Sequence, residues 1–130
     1  MNQEEQQQKA LEFQILNSQF EQAKEQLQKF QQQKESMENL LLSLSEISNL
    51  NKKESFLSPL SSGVLVKTSL EETDSVFITV GAGVIVKKKL NEAKKTIEGQ
   101  KKQLTLIISQ LESRLSQIGN VLNQLQQELQ

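Results

Sequence analysis

Residues 57–90, LSPLSSGVLVKTSLEETDSVFITVGAGVIVKKKL, interrupt what would otherwise read as helix throughout, and this interruption most narrows the folds open to the chain. The stretch is rich in β-branched residues and is broken by Pro59, Gly63, Gly81 and Gly83. Outside it proline is absent, and apolar residues recur at steps of three and four, the spacing of one helix face. The expected fold is mainly α with a small β insert: a long antiparallel two-helix coiled coil joined by two β-hairpins.

The first seam reads Phe13, Leu16, Phe20, Ala23, Leu27, Phe30, Lys34, Met37, Leu41 and Leu44, the a and d positions of successive heptads. Gln, Glu and Lys, all good helix formers, fill the outer face. The helix is predicted from about Glu5 to about Leu50, after a Gln-rich opening expected to fray. Lys34 is the one charged member of this seam, where it either fixes register or extends its stem outward. Leu11 and Ile15 fall off the seam, four residues apart and so on one helix face. They are either scattered surface apolars or an exposed patch.

Four strands are predicted in the centre, Phe56–Leu60, Val64–Leu70, Ser75–Val80 and Val84–Lys88. Ser61-Ser62-Gly63 and Gly81-Ala82-Gly83 supply the tight hairpin turns, and Glu71 to Asp74 form a polar turn between hairpins. Val64, Val66, Thr68 and Leu70 share one face, as do Val76, Ile78 and Val80, while Leu65, Phe77 and Ile85 lie on the opposite faces. Isolated hairpins that are apolar on both faces are not stable in water. They must pack on the helices or complete their sheets with other chains, and open apolar edges favour the second.

Helical periodicity resumes after Lys89. Leu90, Ile97, Leu104, Leu111, Ile118 and Leu125 recur every seven residues, with Lys94, Lys101, Ile108, Leu115, Leu122 and Leu129 four after each. Asn91 is the expected N-cap, with the boundary open to either side of it. Gly99 and Gly119 fall outside this seam and are expected to mark flexibility rather than close packing. The two helices match in length, so the insert should return the chain to pair with itself antiparallel. A single domain over residues 1–130 follows, with helices at about 5–50 and 90–129 around hairpins at 56–88.

Composition narrows the chemistry. Only 35% of residues are hydrophobic and 4% aromatic, which suits a narrow coiled-coil seam better than a globular core. Cysteine and histidine are absent, removing thiol nucleophiles and the commonest general base and metal ligand. Glu71, Glu72 and Asp74 read as a turn rather than an acid–base pair, and no catalytic group, metal or cofactor is expected. No apolar run approaches the ~18 residues of a membrane span, and a cytoplasmic location is expected. The net charge is -1, with lysines crowded at 87, 88, 89, 94, 95, 101 and 102. RNA phosphate could meet such a stretch, but arginine is nearly absent and no aromatic residues interleave. A solvated or intersubunit face is the better reading, with no nucleic acid and no membrane partner.

The order helix, SPLSSGVLVK, acidic turn, VFITVGAGVIVKK and a helix opening LNEA resembles the α class of prefoldin subunits, archaeal in type, over essentially the whole chain. Its most specific parts are Pro59–Lys67 and Val76–Lys88; where that family usually has a glycine, this chain has Ser61. The resemblance implies an ATP-independent holdase chaperone that captures unfolded polypeptides and passes them to a group II chaperonin. It implies two alpha and four beta subunits joined through their hairpins into a β-barrel. Assembly would then rest on Val64, Leu65, Val66, Val76, Phe77, Ile78, Val80, Val84, Ile85 and Val86. Clients would meet Leu11, Phe13, Ile15, Leu16 and Phe20 on one helix and Val121, Leu122, Leu125 and Leu129 on the other. The alternative is a structural homo-oligomeric coiled-coil scaffold that binds no client.

Overall fold

A computed structural model describes residues 2–50 and 52–130. The order of elements is α1 (Gln3–Asn49), β1 (Ser55–Ser61), β2 (Val64–Ser69), β3 (Ser75–Gly81), β4 (Val84–Lys89) and α2 (Leu90–Leu129). The chain divides into two compact units, Met1–Ser36 with Lys102–Gln130, and Met37–Lys101.

In the first unit the early turns of α1 lie along the late turns of α2, antiparallel. Lys9 Nζ meets Glu128 Oε2 at 2.6 Å, and the Phe20 ring lies beside Gly119. The predicted seam is the observed one. Phe13, Leu16, Phe20, Ala23, Leu27, Phe30 and Lys34 are all withdrawn from solvent, as are Leu104, Ile108, Leu111, Leu115, Ile118, Leu122, Leu125 and Leu129. The residues between them are exposed, apart from Lys9 and Gly119. Among the described residues no large side chain is buried below 2% exposure, as expected where two helices meet along one seam with both flanks open. Gly119 corrects the expectation of looseness: a Cβ there would stand 3.6 Å from the Phe20 ring, so this glycine flanks the seam in ordinary packing.

Asn2 starts α1 earlier than its Gln-rich opening suggests. Its Oδ1 accepts the Glu5 backbone N–H at 2.8 Å, which satisfies one otherwise orphaned donor, and its carbonyl accepts the Gln6 N–H as the first regular bond of the helix.

The second unit holds both hairpins and the helix segments that join them. Its buried residues are Leu44, Leu90 and Ala93, and Lys101 Nζ pairs with Glu38 Oε1 at 3.6 Å between the helices. Backbone bonds fix how the chain enters and leaves the hairpins. Lys53 N–H donates to the Leu70 carbonyl at 3.4 Å, with Lys53 in the left-handed region at φ 69°. Leu90 N–H donates to the Asp74 carbonyl at 2.8 Å. The helix starts ahead of the expected cap: β4 runs directly into α2 at Leu90, which leaves Asn91 inside the first turn. The linker carbonyl satisfies the Leu90 N–H, one of the donors that a helix start leaves without an intrahelical partner.

β1 pairs antiparallel with β2, and β3 with β4, as two separate two-stranded sheets. Each strand therefore keeps one unpaired edge among the described residues. The hairpins repeat each other at an offset of twenty residues: 55 corresponds to 75, 64 to 84 and 69 to 89. Registers match pair for pair, and in each the register shifts just before the turn, past Leu60 in one and past Val80 in the other. Both turns place their two central residues at positive φ, Ser62 (49°) with Gly63 (83°) and Ala82 (50°) with Gly83 (76°), and the second adds Gly81 (111°) at its register shift. This is the tight two-residue geometry whose twist matches the strands, and glycine takes its second position without steric cost. Ser61, unlike its equivalent Gly81, stays out of the positive-φ region, so the first turn carries a side chain there without that steric cost and differs from the second at this position.

Candidate interaction surfaces

Antiparallel register sorts each hairpin into two faces. One carries Phe56, Ser58, Val66 and Thr68, and correspondingly Val76, Ile78, Val86 and Lys88. It is half-covered at its base: Phe56, Ser58, Thr68, Val76, Ile78 and Lys88 are all partly withdrawn from solvent. Ser58 and Thr68 share a hydroxyl–hydroxyl bond of 2.7 Å across the strands. The other face is open. Leu57 stands opposite Lys67 and Pro59 opposite Leu65, and in the repeat Phe77 opposes Lys87 and Thr79 opposes Ile85. Phe77 is 67% exposed and Ile85 63%, fractions far above those of a phenylalanine or isoleucine at rest in a folded chain.

The ten predicted assembly residues thus fall on one hairpin pair. Val64, Leu65, Val66, Phe77, Val80, Val84, Ile85 and Val86 are exposed, whereas Val76 and Ile78 are half-buried. Val80 sits at the register shift, so the simple alternation that grouped it with Val76 and Ile78 stops there. Apolar side chains this open, on strands with free edges, are a surface built to be covered.

Polar contacts reinforce the second hairpin. Lys87 Nζ donates to Glu72 Oε1 at 2.9 Å and stands 5.9 Å from the centre of the Phe77 ring. Glu72 Oε2 accepts the Ser75 hydroxyl at 2.5 Å. The Ser75 hydroxyl and then the Lys87 ammonium hold the Glu72 carboxyl below its ordinary value. Beside the first hairpin an open groove of about 780 Å³ runs between the end of α1 and β1, over Ile47, Leu50, Phe56 and Leu70.

The predicted client residues separate into three groups. Leu11 (59% exposed), Ile15 (52%) and Val121 (40%) face solvent. Phe13, Leu16, Phe20 and Leu129 are half-buried in the seam. Leu122 and Leu125, 8% and 6% exposed, are buried between the helices and present nothing to a partner while the seam is closed. Sequence reasoning missed Leu106 and Ile107, both exposed on α2, and Leu40 and Leu42 on α1. The signal was there: in the run LTLII at 104–108, Leu104 and Ile108 complete the seam, which forces the two apolar residues between them outward.

Among the described residues, no group of three or more His, Cys, Asp or Glu could hold a metal ion. Nor, among the described residues, is any helix long and apolar enough to cross a membrane.

Comparison with known proteins places these features in a family. The family described as Prefoldin subunit matches residues 16–130. The chain is 29% identical to the prefoldin subunit alpha of Methanococcoides burtonii over 104 residues, covering 80% of this chain and 75% of that one. It is 26% identical to the prefoldin subunit alpha of Thermofilum pendens over 112 residues, covering 86% and 84%. Its fold is similar to a chain from the cryo-EM structure of filamentous PFD from Methanocaldococcus jannaschii, with a TM-score of 0.74 at 22% identity, covering 88% of this chain and 95% of that one.

Proposed function

Because the chain belongs to the prefoldin family of chaperone subunits, in its alpha class, we propose that it is the hairpin-bearing hub of a hetero-oligomeric holdase. The reading rests on one observation: the open apolar face of each hairpin, on strands with unpaired edges. Edge-to-edge pairing with beta subunits satisfies those backbone groups and buries those side chains together, which is the physical route to a closed barrel. Two alpha and four beta subunits are the expected composition.

Unfolded polypeptide meets Leu11, Ile15 and Val121 first. Phe13, Leu16, Phe20, Leu122, Leu125 and Leu129 join when the end of the seam opens locally, an event that two-helix ends undergo at low cost. Weak contacts of this kind, multiplied over several subunits, hold a client through avidity without nucleotide or fixed motif. Delivery to a group II chaperonin follows from the same family reading, as does action in the cytoplasm.

The test is the native mass of the complex formed with beta subunits, together with light scattering by an aggregating client. Cutting the chain before Phe20 and after Ile118 should preserve the mass and abolish protection. Full protection by the trimmed complex would remove client binding from these residues. A homo-oligomer in place of the mixed complex would favour the scaffold instead, a reading that the filamentous assembly of the M. jannaschii protein keeps in view.

A further inference from the structure

The two hairpins match in register and in the position of their irregularity, yet they hold their shared lysine differently. Lys67 and Lys87 occupy equivalent positions, opposite Leu57 and Phe77. In the second hairpin the ammonium is satisfied within the chain, by the Glu72 carboxylate at 2.9 Å and the face of the Phe77 ring. The first hairpin has neither device. Leucine replaces the ring at position 57, and twenty residues before Glu72 stands Lys52, a charge of the wrong sign. Among the described residues Lys67 makes no ion pair, and it is exposed on the open face with Leu57 and Leu65.

Covering that face would take an unpaired ammonium out of water, a cost that pairing with a carboxylate offsets. We propose that the first hairpin is the charge-selective one. Its open face receives the strand of a different subunit that carries an Asp or Glu opposite Lys67, whereas the second hairpin, its lysine already paired, accepts a neutral apolar face. A second copy of this chain does not fit the first site. Its four strands carry Lys67, Lys87, Lys88 and Lys89 and no carboxylate at all, so like charge would meet like. This selectivity rests on the reading of the hairpins as the assembly surface.

The experiment mixes the full-length chain with the beta-class subunit of its own organism and measures the dissociation constant by sedimentation at about 50 and about 500 mM salt. Lys67→Glu should weaken assembly roughly tenfold at low salt, and Lys67→Met should flatten the salt dependence. The same charge change at Lys29, exposed on α1, should leave both as they were. Leu65→Asp tests the underlying surface, and helical circular dichroism confirms that each variant is folded. If Leu65→Asp blocks assembly while Lys67→Glu matches the parent at both salts, the charge selectivity is wrong and the assembly surface stands. If Leu65→Asp assembles normally, both are wrong. Self-assembly of this chain through its first hairpin, unweakened at low salt, would also overturn the selectivity.

Discussion

The Phe20 ring lies 3.6 Å from the point at which a side chain on Gly119 would begin. That separation is ordinary van der Waals contact, and Gly119 sits within α2 without positive φ. Alanine there should fill the gap without moving the ring and should remove the entropic cost of a helical glycine, about 1 kcal/mol. Gly119→Ala is expected to raise the midpoint of thermal unfolding by a few degrees. A lower midpoint would mean that the ring needs the vacant space.

Phe77 and Leu122 have opposite surroundings and should fail in opposite ways. Phe77→Asp puts a charge on an exposed face, so the isolated chain should keep its helicity and its stability within about 0.5 kcal/mol. It should nevertheless lose the large complex, as read from native mass. Normal assembly of this variant would dismiss its strand from the interface.

Leu122→Ala empties a buried position in the seam and should cost about 2–4 kcal/mol. Leu11→Ser with Ile15→Ser changes only exposed side chains and should leave the unfolding midpoint nearly unmoved. Client protection should respond to the serine pair at unchanged stability. Protection that follows stability across all these variants would assign client binding to the seam alone.

Acid should loosen the second hairpin first. The Ser75 hydroxyl and the Lys87 ammonium depress the Glu72 carboxyl below its ordinary value of 4.5. A carboxyl lowered in the folded state stabilises the fold above its unfolded pKa and loses that contribution as pH falls through the folded one. The loss therefore falls in the window below about 4.5. Because Glu72 is exposed, the effect is local and small. Carboxyl-detected NMR should show its midpoint rising toward the ordinary value in Ser75→Ala, and in Lys87→Met to a lesser degree. No movement in either would discard this pairing in solution.

Period and punctuation made most of this structure readable. The steps of three and four located the seam residues from Phe13 to Leu44 and from Leu104 to Leu129, because burial in a two-helix seam follows position, whereas Ala93, 1% exposed beside the hairpins, lies off both predicted rows. Turn chemistry located both hairpins to within a residue or so. What escaped depended on contacts between distant residues. The Asp74 carbonyl that takes the Leu90 N–H stands sixteen positions before it, and nothing local to Asn91 signals that the helix has already begun. The closeness of Gly119 to Phe20 likewise needs the register between helices, which heptads alone leave open. The client set was only partly legible, since the pattern that marks Leu122 and Leu125 as apolar is the same pattern that buries them.

The twenty-residue correspondence between hairpins has a consequence for how the open face can vary. Matching cross-strand registers, 57 with 67 and 77 with 87, put corresponding residues on corresponding sides of the two sheets. The second hairpin therefore presents its own version of the same open face, with each position free to change its chemistry while its direction stays fixed. Phenylalanine for leucine at 77 against 57 is one such change. A one-residue slip within either pairing would exchange inside for outside along that hairpin. Each hairpin behaves as a cassette whose own register, not the length of chain between the two, holds its orientation.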